Sequence, residues 1–334
     1  MANRALGILM AVFVAVVAAY AFYPRSLPEF PATATQADRL RINGLAMAGQ
    51  RIVAVGESGH ILVSDDRAAS WRDAKVNGNA EVARVEQTLT QVAFVDDRIA
   101  LAVGHDGLIL RSEDRGDTWA PVRFEKEYSD PLFSICAGQN GQVFVSGSFG
   151  RLLVSRDAGK SFEAVPIDLP DGPHLNAVSC SSQDGRMMAA GEMAQAQRSP
   201  DGGQTWTPMK IDYNGSLYGV VRLSDARWVI YGMLGHVFRS EDFGATWGEV
   251  ATGTEASFFG HVLLADGKLV LLGQGGTVMV SADGGATFRI ERSGGREAFV
   301  AGVELAPGRL LTGGEKGISE ITLGRPVAAL AGGQ

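Results

Sequence analysis

Acidic side chains recur at a fixed position along this sequence, and they are its most conspicuous candidates for chemistry. Each lies two residues after a Ser and five residues before an aromatic residue. Paired carboxylates carry out general acid–base chemistry, most clearly in the hydrolysis of glycosidic bonds. A row of such acids would therefore suit a hydrolase. The six acids are Asp66, Asp114, Asp157, Asp201, Asp242 and Asp283.

The same pattern also suits a turn. In Ser-x-Asp-x-Gly-x-Thr-Trp, the Ser and Asp side chains can bond to nearby backbone groups, and the Gly can adopt a positive φ. The aromatic residue can then pack between sheets. Six copies spread along the chain cannot all serve one active site, so we interpret the acids as structural and predict no catalytic residue. We assign the same structural role to Trp71, Trp119, Trp206 and Trp247.

The histidines and cysteines offer few further candidates for chemistry. No pair of the five histidines has the spacing of zinc ligands, so we predict no metal ion and no cofactor. Cys136 and Cys180 each lie 11 residues before the first glycine of a repeated Gly-x-x-Gly. Equivalent side chains point in the same rotational sense, whereas a disulfide needs facing Cβ atoms. We therefore expect two buried free thiols, with a disulfide as the alternative.

A glycine-rich phrase comes before each acidic pattern and defines the repeat. Successive copies lie 41 to 48 residues apart. Units of this length with four short strands are typical of β-propeller blades. In one unit, residues 219–232 read as strand, turn and strand, and residues 236–240 and 245–250 read as two more strands. We predict an all-β, seven-bladed β-propeller over residues 41–326. The first glycines are Gly56, Gly104, Gly147, Gly191, Gly232, Gly273 and Gly314.

The two ends of the chain differ from this repeat. Residues 5–24 carry no charge, and about 20 apolar residues span a bilayer core. We predict that residues 1–25 form a transmembrane anchor with an exported body. A signal peptide is the alternative, since residues 19–21 have the A-x-A form. Residues 26–40 would form a linker and residues 327–334 a tail. We expect the segment 31–38, or alternatively 327–330, to supply the missing fourth strand of the last blade.

The net charge of −7 is not accompanied by any basic stripe, so we predict that the protein does not bind nucleic acid.

The acidic pattern resembles the Asp-box, or BNR, repeat. Residues 112–119, Ser-Glu-Asp-Arg-Gly-Asp-Thr-Trp, show it in full, whereas Ala68 replaces the Gly in the first copy. When Val-Gly-x-x-Gly precedes it, as at residues 103–107, the combination looks like the photosystem II stability and assembly factor family of exported propellers. The resemblance covers the whole body after the anchor. It places the Asp-boxes in outer hairpins, between the third and fourth strands of each blade.

The resemblance also implies a function. Phototroph members of this family assist the assembly of a membrane protein complex. Relatives in non-photosynthetic bacteria are often associated with inner-membrane transporters of the resistance-nodulation-division (RND, MMPL-like) class. Phototroph members are rich in Arg on one face, but only Arg151 follows a second glycine here, which favours the non-photosynthetic relatives. We therefore expect a non-catalytic accessory subunit or assembly factor, anchored in the inner membrane with its body in the periplasm, and bound to such a complex. The alternatives are a carrier of a small hydrophobic ligand in the funnel and a sialidase-like glycoside hydrolase.

The loop within Gly-x-x-Gly is where the repeats vary most informatively. It joins the second and third strands, on the face opposite the Asp-boxes. Blades three to five carry apolar residues there, and exposed apolar turns are typical of contact surfaces. The alternative is that these side chains pack into the central channel. The predicted partner-binding residues are Phe149, Glu192, Met193, Met233 and Leu234.

Overall fold

The computed structural model describes residues 2–21, 36–77, 86–124, 130–169 and 172–324. Helix α1 (Ala2–Ala21) belongs to an N-terminal unit that ends at Thr35, and the second unit begins at Gln36. Within the described part of the chain, no helix has the length and apolar character needed to cross a membrane. The transmembrane anchor predicted over residues 1–25 is therefore not supported.

The second unit consists of consecutive antiparallel sheets, and the first four are built as follows. Blade one contains β1 (Ile42–Ala48), β2 (Arg51–Gly56), β3 (Ile61–Ser64) and β4 (Arg72–Asp73). Blade two contains β5 (Lys75–Val76), β6 (Leu89–Phe94), β7 (Ala100–Gly104), β8 (Ile109–Ser112) and β9 (Thr118–Arg123). Blade three contains β10 (Leu132–Ala137), β11 (Val143–Gly147), β12 (Leu152–Ser155) and β13 (Glu163–Ala164). Blade four contains β14 (Ala177–Cys180), β15 (Met187–Ala190), β16 (Ala196–Ser199) and β17 (Thr207–Met209).

Three further blades complete the series. Blade five contains β18 (Leu217–Arg222), β19 (Trp228–Gly232), β20 (Val237–Ser240) and β21 (Gly248–Glu249). Blade six contains β22 (Phe258–Leu263), β23 (Leu269–Gly273), β24 (Val278–Ser281) and β25 (Arg289–Arg292). Blade seven contains β26 (Phe299–Ala306), β27 (Arg309–Gly314) and β28 (Gly317–Thr322). The predicted seven-bladed β-propeller is confirmed.

Burial explains why the second strand of each blade is so apolar. Every residue of β19 and β23 is buried, because neighbouring blades cover both faces of the sheet. The apolar clusters accordingly lie between blades. Met188 of blade four, for example, packs in one cluster with Trp228 and Ile230 of blade five.

Blade two differs from the other blades in its outer edge. The short strand β5 leaves blade one and pairs in parallel with β9, so this sheet has five strands. The sequence repeat did not predict this extra strand.

The ring closes by packing between the first and last blades. Ile42 of β1 lies so close to Gly313 of β27 that a Cβ there would be 2.6 Å from the Ile42 Cγ2. The Ile318 amide donates a hydrogen bond of 3.1 Å to the Ala37 carbonyl. Most of the segment 31–38 and all of 327–330 lie outside the described residues, so the predicted closing strand remains a prediction.

The two cysteines form a disulfide, and the expectation of free thiols is wrong. Cys136 of β10 and Cys180 of β14 have a Cα–Cα distance of 5.6 Å. Inner strands of neighbouring blades converge at the centre of the ring, so equivalent positions come within bridging distance. The Val178 amide donates to the Ser134 Oγ at 3.2 Å, which ties the same two strands together.

Candidate functional site

The Asp-boxes form closed networks of hydrogen bonds in the hairpins between third and fourth strands. In blade five, Ser240 Oγ donates to Asp242 Oδ1 at 2.9 Å and accepts from the Gly244 amide at 2.7 Å. Thr246 donates to the Asp242 carboxylate through its amide at 2.8 Å and its hydroxyl at 2.6 Å. The other five copies repeat these four bonds, and Ala68 adopts the positive φ of 72° in place of Gly.

These bonds further stabilise the ionised form of the acids. The hydroxyl and amide of Ser70 lower the pKa of Asp66 to about 2, and those of Thr287 lower the pKa of Asp283 to about 2. The Ser161 and Thr246 side chains lower the pKa values of Asp157 and Asp242 in the same way. Desolvation raises the pKa values of Asp114 and Asp201, but hydrogen bonds outweigh it and the net shift is downward. Carboxylates that stay ionised at neutral pH are poorly suited to act as general acids.

The aromatic residue of each Asp-box lies against this turn. Trp119 is buried, and its Nε1 donates to the Gly116 carbonyl at 2.9 Å. Trp206 bonds in the same way to Gly203 at 3.2 Å. Trp71 and Trp247 are partly buried against apolar clusters between blades. The structure thus places the six acids and these tryptophans in separate turns and does not bring them together.

The first glycine of each Gly-x-x-Gly allows the chain to approach the innermost strand. A Cβ at this position would lie between 1.8 and 2.7 Å from the carbonyl oxygen of a residue just before the first strand of the same blade. Such a distance is far inside van der Waals contact, so a larger residue would push the strands apart. The seven oxygens belong to Arg41, Thr88, Pro131, His174, Ser216, Ser257 and Ala298.

In Gly-x-x-Gly, the residue directly after the first glycine, here called the first middle residue, bonds to its own blade. The Glu192 and Met233 amides each donate a 3.0 Å bond to the carbonyls of His174 and Ser216. Their side chains face the same residues: Glu192 Oε2 accepts from the His174 amide at 3.1 Å, and Met233 Sδ accepts from the Ser216 amide at 3.3 Å. Both predicted contact residues are therefore half-buried and engaged in holding the loop.

The second middle residue is presented to solvent. Phe149, Met193 and Leu234, hereafter the apolar tips, are 67%, 50% and 55% exposed. Their φ angles are 53°, 51° and 54°, a region that bulky side chains rarely adopt. They occupy equivalent positions on three neighbouring blades, and their side chains do not fold into the channel as packing.

Two of the apolar tips, Phe149 and Leu234, are held by side chains from the connection to the following blade. The Phe149 amide donates to His174 Nδ1 at 3.1 Å, and the two rings meet edge-on at 5.1 Å. The Leu234 amide donates to Ser257 Oγ at 3.1 Å. These supporting residues were missed from sequence, because they lie in connections that carry no repeated pattern.

A central channel of about 870 Å³ runs between the inner strands. Several of its polar side chains bond neighbouring blades: Asn43 Nδ2 donates to the Leu89 carbonyl at 2.8 Å, and Asn176 Nδ2 donates to the Leu217 carbonyl at 2.9 Å. Near the same channel, Tyr231 Oη and His261 Nδ1 share a 2.9 Å hydrogen bond, and burial lowers the pKa of His261 to about 4. Among the residues described, no group of three His, Cys, Asp or Glu side chains could hold a metal ion.

Comparison with known proteins adds a family and a set of similar folds. The model of the family described as photosynthesis system II assembly factor YCF48 matches residues 76–249. A solved structure described as YCF48 bound to D1 peptide is 18% identical, with a TM-score of 0.68 over 90% of this chain and 99% of that one. YCF48 from Cyanidioschyzon merolae is 15% identical, with a TM-score of 0.68 over 87% and 97%.

An enzyme has the same fold. The GH74 enzyme of Niastella koreensis is 14% identical, with a TM-score of 0.70 over 86% of this chain and 53% of that one. No curated protein sequence matches the chain. At these identities, the structural likeness shows the fold alone.

Proposed function

Since the chain belongs to the photosynthesis system II assembly factor YCF48 family, we propose that it is a non-catalytic propeller that binds a membrane protein complex, as an assembly factor or accessory subunit. The family predicted from the Asp-boxes and their glycines is confirmed. One similar propeller is described as bound to a D1 peptide, so a protein segment is a ligand of that structure. The same kind of ligand suits this chain.

The apolar tips carry the proposal. Three large apolar side chains stand in solvent on neighbouring blades, each in a backbone conformation that costs free energy. The same loop position holds Ser58 in blade one, Asp106 in blade two and Gly275 in blade six, so the fold does not require an apolar residue there. Covering each half-exposed tip with a partner would contribute about 1 kcal/mol.

The partner that we favour is an inner-membrane transporter of the RND class, as the resemblance to non-photosynthetic relatives implies. We place the propeller body in the periplasm. The Cys136–Cys180 disulfide supports this location, because disulfides persist in oxidising compartments and are rare in the cytosol.

The channel favours a second candidate, a carrier of a small hydrophobic ligand. Phe133, Tyr218 and Phe259 all line the channel, and aromatic walls bind apolar molecules. The two candidates differ in what the apolar tips do: they contact the partner in the first and are unimportant in the second.

The test is co-purification from detergent-solubilised membranes with mass spectrometry. The variant Phe149→Asn/Met193→Asn/Leu234→Asn removes the apolar surface with a residue that tolerates positive φ. The control variant Met47→Thr/Leu263→Thr/Ile290→Thr removes three exposed apolar side chains from strands elsewhere. We expect the wild type and the control to retain a membrane protein complex, and the tip variant to lose it with an unchanged melting temperature. Equal retention by all three proteins, or recovery of a partner-free monomer from each, would refute the proposal.

A further inference from the structure

Exposed carboxylates accompany the apolar tips. Among the described residues, the connection from the fourth strand of each tip-bearing blade to the next blade carries one. These three residues are hereafter the acidic rim: Asp168, Asp212 and Glu255. Asp168 lies 19 residues after Phe149, Asp212 lies 19 after Met193, and Glu255 lies 21 after Leu234. The same association of charge and apolar surface is therefore built three times.

Contacts place each rim segment against a tip loop. The Gly150 amide, next to Phe149, donates to the Pro173 carbonyl at 2.8 Å, and a Cβ at Gly150 would lie 3.2 Å from Leu169. The Ala194 amide, next to Met193, donates to the Gly215 carbonyl at 2.8 Å.

The third loop is held in the same manner. Thr252 Oγ1 donates to the Gly235 carbonyl, next to Leu234, at 2.9 Å. A Cβ at Gly235 would lie only 1.9 Å from the Thr254 carbonyl oxygen, one residue before Glu255. All three rim segments therefore border the apolar tips.

The rim is not neutralised by the basic groups nearby. Within the described part of the chain, none of the three carboxylates forms an ion pair at 4.0 Å or less. Arg151 is already bonded to Asp130 at 2.8 Å, and Lys210 is an exposed cation in the same connection as Asp212. This part of the face thus combines apolar side chains with a net negative charge.

The neighbouring blade shows that the association is not a requirement of the fold. In blade six the tip position is Gly275, and the connection that follows carries the exposed Arg296. The same connection carries Glu297, but this carboxylate is partly buried and paired with Arg292 at 2.9 Å. An exposed, unpaired carboxylate is therefore absent where the apolar surface ends. Blade seven carries the exposed Lys316 at the tip position.

Resting on the proposed function, we infer that the apolar tips and the acidic rim together bind a protein segment that carries Lys or Arg between large apolar side chains. Complementary charge selects the partner and speeds its encounter, while apolar contact supplies most of the affinity. An anionic bilayer surface is the wrong ligand, because the three carboxylates would be repelled by its charge.

Selection from a random peptide library displayed on phage, at low salt and with the full chain as bait, tests the inference. We expect peptides selected by the wild type to be enriched at least about twofold in Lys and Arg, and in large apolar residues as well. The rim variant Asp168→Asn/Asp212→Asn/Glu255→Gln should lose the basic enrichment. It should also bind the best wild-type peptide about tenfold more weakly, as expected for three weak charge pairs.

A control variant distinguishes the effect of charge at the acidic rim from the effect of the net charge of the protein. Asp97→Asn/Asp225→Asn/Asp266→Asn removes three carboxylates from turns between first and second strands, on the opposite face. It should select the same peptides as the wild type. A control variant that behaves like the rim variant, or selected peptides without basic enrichment, would overturn the inference.

Two further results distinguish this inference from the proposed function. If the rim variant keeps the wild-type peptides and the tip variant Phe149→Asn/Met193→Asn/Leu234→Asn loses them, the docking surface stands and its preference for basic segments is wrong. If neither variant changes the selection, both ideas fail. Co-sedimentation of the wild type, but not of the tip variant, with phosphatidylglycerol vesicles would also overturn the inference, since it identifies a lipid surface as the ligand of the apolar tips.

Discussion

Removal of the Cys136–Cys180 disulfide tests the junction between blades three and four. The variant Cys136→Ser/Cys180→Ser frees a loop that the bond closes over a sequence separation of 44 residues. The loss of that constraint on the unfolded chain costs about 4 kcal/mol by loop-closure entropy. For a propeller of roughly 290 residues, the unfolding entropy is about 0.6 kcal/mol per kelvin, so the melting temperature should fall by about 7 °C.

Differential scanning calorimetry and urea unfolding monitored by tryptophan fluorescence measure the effect. The matched comparison is the wild type in reducing buffer, which lacks the bond but keeps both cysteines. It should unfold at nearly the same urea concentration as the serine variant, because the disulfide bond, and not the cysteine side chains, provides the extra stability. Two titratable thiols in denatured, unreduced protein, or equal stability of the reduced and oxidised wild type, would refute the reasoning.

Further substitutions and pH changes test other parts of the fold. Ser240→Ala should destabilise the propeller by about 1–3 kcal/mol in urea unfolding, because the buried Gly244 amide loses its acceptor; a cost near zero would mean that the clasp is dispensable. Gly273→Ala should lower the free energy of unfolding by about 2–3 kcal/mol, since its Cβ would lie 2.3 Å from the Ser257 carbonyl oxygen. Gly267→Ala, with nothing within 4 Å of its Cβ and a φ of 83°, should lower it by about 1 kcal/mol. Equal losses in the two variants would contradict the close-approach argument. The folded-state pKa values of Asp66 and Asp283 are below the ordinary value of 3.8. The stability that these two carboxylates give to the fold should therefore be complete above about pH 4 and be lost as the pH falls through about 2. A melting temperature that is flat over this range would be inconsistent with the bonded carboxylates. His261 has a folded-state pKa of about 4, against an ordinary value of 6.5, so the unfolded chain takes up the proton first and stability should fall between pH 6.5 and pH 4. His261→Asn should flatten that part of the plot of melting temperature against pH. An unchanged slope would exclude His261 as its source.

The blade repeat was predictable because each blade uses the same local chemistry. Ser240, Asp242 and Gly244 lie within five residues of one another, so their hydrogen bonds depend on the turn and hardly on the rest of the ring. The first glycine of Gly-x-x-Gly was equally visible, although its reason was not. Only the structure shows that a residue such as Gly191 lies against the His174 carbonyl.

Which residue of each tip loop is exposed depends on contacts between residues that are distant in sequence. Met193 and Met233 look equivalent as apolar residues in Gly-x-x-Gly. The first is exposed at a positive φ, whereas the second accepts a hydrogen bond from Ser216. The position within the loop decides which of the two faces solvent, and that arrangement follows from the hydrogen bonds to the residue just before the first strand of the blade.

The sequence by itself determined the number of blades, the position of every Asp-box turn and the family, because these follow from local turns repeated at a nearly constant spacing. Tertiary structure decided which residues of the loops are exposed, how the first and last blades meet and that Cys136 bonds to Cys180. The physical reason is the geometry of the ring. Strands that are 44 residues apart along the chain converge at its centre to a Cα–Cα distance of 5.6 Å, and neighbouring loops meet at its face. A repeat pattern describes each blade, whereas these contacts arise between blades.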